Sequence, residues 1–422
     1  MSIKKNTIWN IVGSVLPLLL GALTIPFIIT EAGLEVFGIL TLVWALIGYF
    51  SLFDFGLGRA LTQIVAKLNQ ENKFNEVKDF VNIGIFLIFI LGLLGGLLIL
   101  SLAFPFSEYW LGVRSDLKGD VLISLCIAAV GIPLTTLSSG LKGVLEGYLD
   151  FRAVNILRVL LGMGNFGFPA LTVYFLGASL PLMVASLVLT RLLVLIPHIT
   201  LATKKVEIEL ILPSKNKTVT KELLGFGSWM TLSNIISPLM VTADRFIVSG
   251  IVGASLVAYY TVPFEVLIRF LILPGALTAA FFPQVTALLS ESKKNAKKFF
   301  KKCILIVFVI MFITCVSTAL LSPFALEFWI DKDFSDNSWY IASIISIGIL
   351  FNSIAQIPHA TVQAVGNVKA TSIVHLFEFV IYLPILIIAV TYFGLIGAAV
   401  TWVFRAGLDM LLMFHLVRKV FD

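Results

Sequence analysis

Seven of the thirty lysines and arginines in this 422-residue chain lie inside long apolar stretches: Arg59, Lys142, Arg158, Arg191, Arg245, Arg269 and Arg405. The acidic residues Asp54, Glu146, Asp244, Glu265, Glu378 and Asp409 share those surroundings. A charge among apolar side chains is costly unless it is paired, hydrogen-bonded or set against water or a ligand, so any chemistry is to be sought at these positions.

Spacing sorts them. Lys142 and Glu146, Glu265 and Arg269, and Arg405 and Asp409 are each four apart, the separation at which opposite charges meet on one helix face. Asp54 and Arg59 are five apart, which sets them about 140° around a helix unless the intervening glycines bend it. Asp244 and Arg245 are adjacent and must point in different directions. Arg158 and Arg191 have no acidic residue within helical reach, and Glu378 stands alone in its segment. For Lys142/Glu146 and Arg405/Asp409, holding helices together is the simpler account. For Arg59, Arg191 and Arg269, depth calls for a water-filled cavity or an anionic ligand. Guanidinium grips phosphate bidentately and keeps its charge at any relevant pH, so the chemistry expected is capture of a phosphate or pyrophosphate group.

Other chemistry finds little footing. Cys126, Cys303 and Cys315 fall in apolar segments and suit buried small hydrophobes better than a disulfide framework. His198, His359, His375 and His415 lie toward the ends of apolar segments with no metal-ligand spacing; packing near the interface is the simpler account, with a proton role open. No phosphate loop, nucleophile elbow or zinc-protease helix is present, and no metal site is expected.

The elements that must carry these residues are membrane spans. At 59% hydrophobic and 13% charged residues, with a mean hydropathy of +1.03, the chain is far more apolar than a soluble domain, which carries about 25% charge. A span needs roughly 20 apolar residues. Twelve segments qualify: 7–30, 37–66, 80–106, 121–147, 153–176, 180–203, 222–252, 254–290, 303–330, 339–365, 371–393 and 395–417. Of the basic residues outside them, twenty crowd into alternate connections and the termini, and only Arg114, Lys118 and Lys332 occupy the other set. That asymmetry is the positive-inside pattern and predicts cytoplasmic N- and C-termini. The net charge of +6 follows this topology rather than forming one patch, which points to lipid head groups and not to nucleic acid. The first span lacks a small-residue cleavage site and is not expected to be a removed leader.

The stretch 204–221, rich in lysine, divides six spans from six. It reads as a cytoplasmic linker between an N-terminal lobe, 1–203, and a C-terminal lobe, 222–422. Displacing the chain by 220 residues sets Trp9 on Trp229, Gly33 on Gly253, Thr41 on Thr261, Phe50 on Phe270, Ala60 on Ala280 and Val65 on Val285. Repeats of six spans run parallel about an axis along the membrane normal, with a substrate site expected at their interface. The expected fold is therefore an all-α integral membrane protein, twelve transmembrane helices in two six-helix lobes around a central cavity. Eleven prolines within or at the ends of spans, Pro17, Pro26 and Pro274 among them, are candidate kinks.

The segments WNIVGSVLPLLLGALTIPFIITEAGLEVFGIL, SLFDFGLGRALTQIVAKL, ADRFIVSGIVGASLVAYY and PFEVLIRF resemble polysaccharide repeat-unit flippases of the Wzx type, in the multidrug/oligosaccharidyl-lipid/polysaccharide superfamily that includes the MATE transporters. The resemblance spans nearly the whole chain. It implies a transporter, not an enzyme, that moves an undecaprenyl-diphosphate-linked oligosaccharide from the inner to the outer leaflet of a bacterial plasma membrane by alternating access, for O-antigen, lipopolysaccharide or capsule assembly. Cationic residues would hold the lipid pyrophosphate, and Arg59, Arg245 and Arg269 match by position; depth adds Arg191. Asp54, Asp244, Glu265, Glu378, Arg405 and Asp409 are left as coupling or ion-pair candidates. No cofactor is implied, with coupling to a proton or sodium gradient open, and a polysaccharide polymerase and a chain-length regulator are the implied protein partners beside membrane lipids.

Two departures bear on this. Lipid II flippases of the superfamily have further spans and arginines in the first span, and one drug-exporting branch has an aspartate there; this chain has no charge between Ile8 and Thr30. A multidrug exporter is the main alternative, disfavoured because arginines at depth do not suit organic cations. A membrane polymerase or glycosyltransferase would need a sizeable outer loop, and the longest expected one is Ser107–Asp120.

Overall fold

The computed structural model describes residues 3–50, 54, 56–208, 219, 240 and 242–421, and among them every regular element is helical. A lipid-exposed chain has this outcome forced on it, because within hydrocarbon each backbone N–H and C=O must find its partner inside the segment. The helices are α1 (Ile3–Ala32), α2 (Leu34–Phe50), α3 (Leu57–Gln70), α4 (Phe74–Pro105), α5 (Lys118–Gly147), α6 (Phe151–Leu176), α7 (Leu180–Thr203), α8 (242–252), α9 (Ala254–Ile268), α10 (Ile272–Glu291), α11 (Lys293–Trp329), α12 (Lys332–Ala364) and α13 (Val368–Phe421). Among the described residues, eight stretches are long and apolar enough to cross a membrane, and Leu16–Ala32 and Leu34–Gly48 are shorter apolar helices.

Several ends lie beyond the apolar segments, for local reasons. α11 begins ten residues before the expected 303 because Ser292 caps it, its hydroxyl accepting from the Asn295 N–H at 3.4 Å. At 1.5 Å per residue α11 runs about 55 Å, against a hydrocarbon core of about 30 Å, so its lysine-rich start stands outside the bilayer. α12 begins at Lys332, not 339, under an Asp331 cap that accepts from the Phe334 N–H at 2.7 Å. The expected span 37–66 is two helices, broken around Asp54 and Gly56, where Gly56 takes a φ of 73°. The expected span 254–290 is also interrupted, by a 3₁₀ turn at Arg269–Leu271. Pro274, lacking an N–H, cannot close a helical bond to the Phe270 carbonyl, and the ladder changes step there.

The chain divides into two compact units, Met1–Leu239 and Met240–Asp422. Most of the expected linker 204–221, and the expected span 222–252 as far as residue 239, with Trp229 and Pro238, lie outside the described residues. In the first unit α5 is central, packing against α2, α3, α4 and α7, while α1 packs on α6. In the second unit α12 has that place, against α9, α10, α11 and α13. A Cβ at Gly348 of α12 would enter the buried Trp402 indole of α13, so glycine is what lets these helices close. The outward faces carry exposed leucines and phenylalanines, such as Leu97 and Phe104 on α4 and Phe324 on α11, as lipid contact requires.

The turns repeat between the units. Gly33 and Gly253, 220 apart, both have positive φ, 83° and 99°, at the junctions before α2 and α9. Leu149 and Gly366, at 58° and 79°, and Gly177 and Gly394, at 87° and 56°, form two further pairs, each 217 apart. The repeat thus holds in backbone conformation, with three residues lost in the second copy. Gly394 folds α13 into two arms, the counterpart of the α6–α7 turn.

Candidate functional site

In the second unit, α8 carries Asp244 and Arg245, both buried, with 0% and 4% of their surface exposed. Neighbours on a helix are about 100° apart, so the two side chains part. Asp244 accepts a hydrogen bond from the Tyr260 hydroxyl at 2.5 Å through Oδ2, and from the Arg245 backbone N–H at 2.8 Å through Oδ1. Arg245 turns to α9: its Nη2 donates to Glu265 Oε1 at 2.6 Å, and its guanidinium lies 5.5 Å from the centre of the Phe264 ring. The other Glu265 oxygen accepts from Arg269 Nη2 at 3.3 Å.

One carboxylate therefore bridges two guanidiniums. The side chains grade outward from Arg245 at 5% exposed through Glu265 at 41% to Arg269 at 48%. Arg245 is bound to keep an anion, because its charge is enclosed. Arg269 is not: it is half open, placed on the 3₁₀ turn, and joined to Glu265 by the longer contact. The three side chains together carry one net positive charge, and five N–H donors per guanidinium leave Arg269 with hydrogen bonds to give. The arrangement can accept a further anion at Arg269 while Arg245 stays satisfied by Glu265.

A second polar group lies on the arms of α13. Arg405 is buried, with Nη1 3.9 Å from Met240 Sδ and its guanidinium 5.8 Å and 5.9 Å from the Trp402 and Tyr382 rings. Despite the four-residue spacing it forms no ion pair with Asp409 among the described residues; aromatic faces hold it instead. Asp409 Oδ1 lies 3.8 Å from His375 Nε2. Glu378, alone in sequence, is 1% exposed beside them and meets the Asp409 carboxyl. The His375, Glu378 and Asp409 donor atoms all fall within 4.8 Å of one another. Gly394 brings Asp409 to side chains more than thirty positions away, a grouping that shows no metal-ligand spacing in the sequence.

The first unit treats its charges differently. Asp54 is buried and accepts from the Gly56 N–H at 2.8 Å and the Ser139 hydroxyl at 2.9 Å, closing the break between α2 and α3 onto α5. A Cβ at Gly58 would stand 2.7 Å from Asp54 Oδ2, so glycine is required for that approach. Arg59, one residue on, is exposed on α3. Arg191, expected to face water or an anion, is only 6% exposed. Its Nε donates to Thr135 at 3.1 Å and its Nη1 to Asn165 at 3.2 Å and the Leu187 carbonyl at 2.9 Å, joining α5, α6 and α7 through neutral oxygens. Lys142 and Glu146 form the expected pair at 3.6 Å.

Tyr260, Phe264, Ser139, Thr135 and Asn165 were not legible as site residues. A hydroxyl or amide in an apolar helix bonds its own backbone as readily as a distant charge, as Thr361 does to Ile357.

The family model described as "Polysaccharide biosynthesis protein" matches residues 3–289, and the MatE model matches residues 230–388. A Shigella flexneri protein described as "Putative O-antigen transporter" is 34% identical over 413 residues, covering 98% of this chain and 97% of that protein. Among solved structures, an inward-facing MATE family multidrug resistance transporter of the MOP superfamily aligns with a TM-score of 0.84 at 16% identity, covering 97% of this chain and 98% of that one. A MOP superfamily transporter from Pyrococcus furiosus aligns at 0.70 with 14% identity, covering 99% and 96%.

Proposed function

The chain belongs to the polysaccharide biosynthesis protein family, the Wzx-type branch of the MATE-like superfamily, and from that premise we propose that this multi-pass membrane transporter flips an undecaprenyl-diphosphate-linked oligosaccharide across the plasma membrane by alternating access. The similarity to a protein described as an O-antigen transporter supports a lipid-linked saccharide cargo. The observation that carries the reading to residues is the Arg245–Glu265–Arg269 chain: a fixed cation, a shared carboxylate, and an outer cation with donors to spare.

A diphosphate head group crossing a core about 30 Å thick must be neutralised on the way. Arg269 is the anchor in this reading. Pyrophosphate oxygens take its fork bidentately, and Glu265, which remains on Arg245, recaptures Arg269 when the cargo departs. Arg245 keeps Glu265 in place, and Arg59, exposed on α3, is the first unit's own candidate for a head-group contact. Arg191 is assigned to holding α5, α6 and α7 together, since its Nε and Nη1 donors already bond all three helices. Asp54, Asp244, Glu378, Arg405 and Asp409 serve lobe architecture and charge balance around the route. The termini and the 204–221 segment lie on the cytoplasmic side, following the lysine asymmetry.

Surface polysaccharide display tests the reading. Arg269→Gln should abolish display at normal membrane abundance, and Arg269→Lys should restore it only in part, because an ammonium lacks the fork. Full display by Arg269→Gln would reject the anchor.

A further inference from the structure

We propose that the lysine-rich start of α11 is a docking surface for the head groups of acidic phospholipids, in the leaflet where that helix leaves the bilayer. Six of the ten residues 293–302 are lysines: Lys293, Lys294, Lys297, Lys298, Lys301 and Lys302. All six are exposed, and none forms an ion pair among the described residues.

The arrangement is costly by itself. The lysines fall in two rows of like charge at four-residue steps, 293–297–301 and 294–298–302, and pairs so spaced repel. They also crowd the start of the helix, where its dipole is positive, with no acid in the first turn. The repeat does not demand this. Lys73, which the 220-residue displacement sets on Lys293, and Lys78 are answered at the start of α4 by Glu71 and Glu207, each at 2.8 Å. The start of α11 lacks such acids, so its anion must come from outside the chain.

The helix face identifies that anion. Phe299 stacks on Phe281 of α10 with ring centres 5.4 Å apart, and Phe300 meets Phe414 and Phe421 of α13 at 6.3 and 5.3 Å. With Ala296 and Val307 also buried, one side of α11 is committed to its neighbours. The two lysine rows run down the other side and continue one turn on as Leu305 and Ile306, then Val309 and Ile310, all exposed. Such a stripe on a membrane helix is the lipid-facing one, so the lysines project over lipid rather than into a groove. Of the eight long apolar stretches, that of α11 is the least enclosed, with 17% of its apolar window buried. Ten residues rise about 15 Å, enough to cross a head-group layer about 5–8 Å deep, and lysine stems let each ammonium reach toward phosphate. Arg418 and Lys419, exposed in the last turn of α13 near Phe421, widen the surface. The proposal does not depend on the identity of the cargo.

Lipid-specific quenching tests it. A fluorophore is placed on Leu305→Cys, on the lipid-facing stripe one turn past Lys301, in the full-length chain free of Cys126, Cys303 and Cys315. The protein is set in phosphatidylcholine nanodiscs carrying a minor share of phosphatidylglycerol or phosphatidylcholine with a nitroxide near the top of its acyl chain. Each lysine near an acidic surface is worth about fivefold in affinity, so labelled phosphatidylglycerol should be preferred by at least that factor. Salt at about 1 M, where the Debye length is about 3 Å, should narrow the preference. Replacing Lys297, Lys298, Lys301 and Lys302 by Gln together should bring it below about twofold, whereas Lys204→Gln, at the end of α7, should leave it unchanged. If the fourfold variant folds poorly, the salt response of the unaltered protein decides. Equal quenching by the two lipids would overturn the proposal and leave the lysines to a soluble acidic partner. A preference that survives the fourfold substitution, or one indifferent to salt, would overturn it as well.

Discussion

Glu265 lies 2.6 Å from Arg245, twenty residues away on another helix, and 3.3 Å from Arg269, four residues along the chain. The contact that sequence spacing favours is the weaker of the two. The reason is burial: Arg245 is enclosed and has the most to lose without an anion, whereas the half-exposed Arg269 can exchange one partner for another.

Removing the shared carboxylate should therefore act first on stability. Glu265→Gln leaves the Arg245 charge enclosed without compensation; because Glu265 is itself partly exposed, the expected cost is about 2 kcal/mol, below the 3–5 kcal/mol of a fully buried pair. Adding Arg245→Met should recover most of the loss, since an apolar side chain of similar length needs no counter-ion. Melting of the purified variants in one detergent measures both, and a single variant as stable as the unaltered protein would contradict the enclosed pairing.

Arg191 should behave as a structural residue. Arg191→Gln forfeits hydrogen bonds to Thr135 and Asn165, each charge-assisted contact being worth about 1.5–3 kcal/mol. Membrane abundance and melting temperature should fall, with surface display falling in proportion. Normal abundance with lost display would instead place Arg191 among the residues that meet the cargo.

Topology is checked by cysteine labelling in a background free of Cys126, Cys303 and Cys315. Asp336, exposed at the start of α12, serves the expected outer side, and Lys297, exposed on α11, the inner. A membrane-impermeant maleimide added to intact cells should label Asp336→Cys and spare Lys297→Cys. The reverse pattern would invert the orientation.

Much of this architecture was legible in sequence because a bilayer leaves so few options: long apolar segments had to become helices, and the 220-residue displacement reappears as matched positive φ at Gly33 and Gly253. Pairs within one helix, Lys142 with Glu146 and Glu265 with Arg269, followed from spacing alone. Contacts across helices did not. The Arg245–Glu265 bond depends on how α8 meets α9, and the approach of His375 and Glu378 to Asp409 depends on the turn at Gly394, neither of which leaves a periodic trace. The break at Asp54 was only half visible. Its glycines hinted at a bend, but the Ser139 hydroxyl that completes the cap comes from α5, some eighty-five residues away. Arg405 and Asp409 mislead by their spacing, because the Tyr382 and Trp402 rings compete for the guanidinium.

The central claim is that the half-exposed Arg269 fork holds a lipid diphosphate. It is tested most directly by binding of undecaprenyl diphosphate, with the monophosphate as comparison, to the purified protein in lipid nanodiscs. The unaltered protein should prefer the diphosphate. Arg269→Gln should weaken diphosphate binding about 10- to 100-fold, the equivalent of one charge-assisted bidentate contact, and Arg269→Lys should fall between. Equal diphosphate affinity in Arg269→Gln and the unaltered protein would contradict the claim.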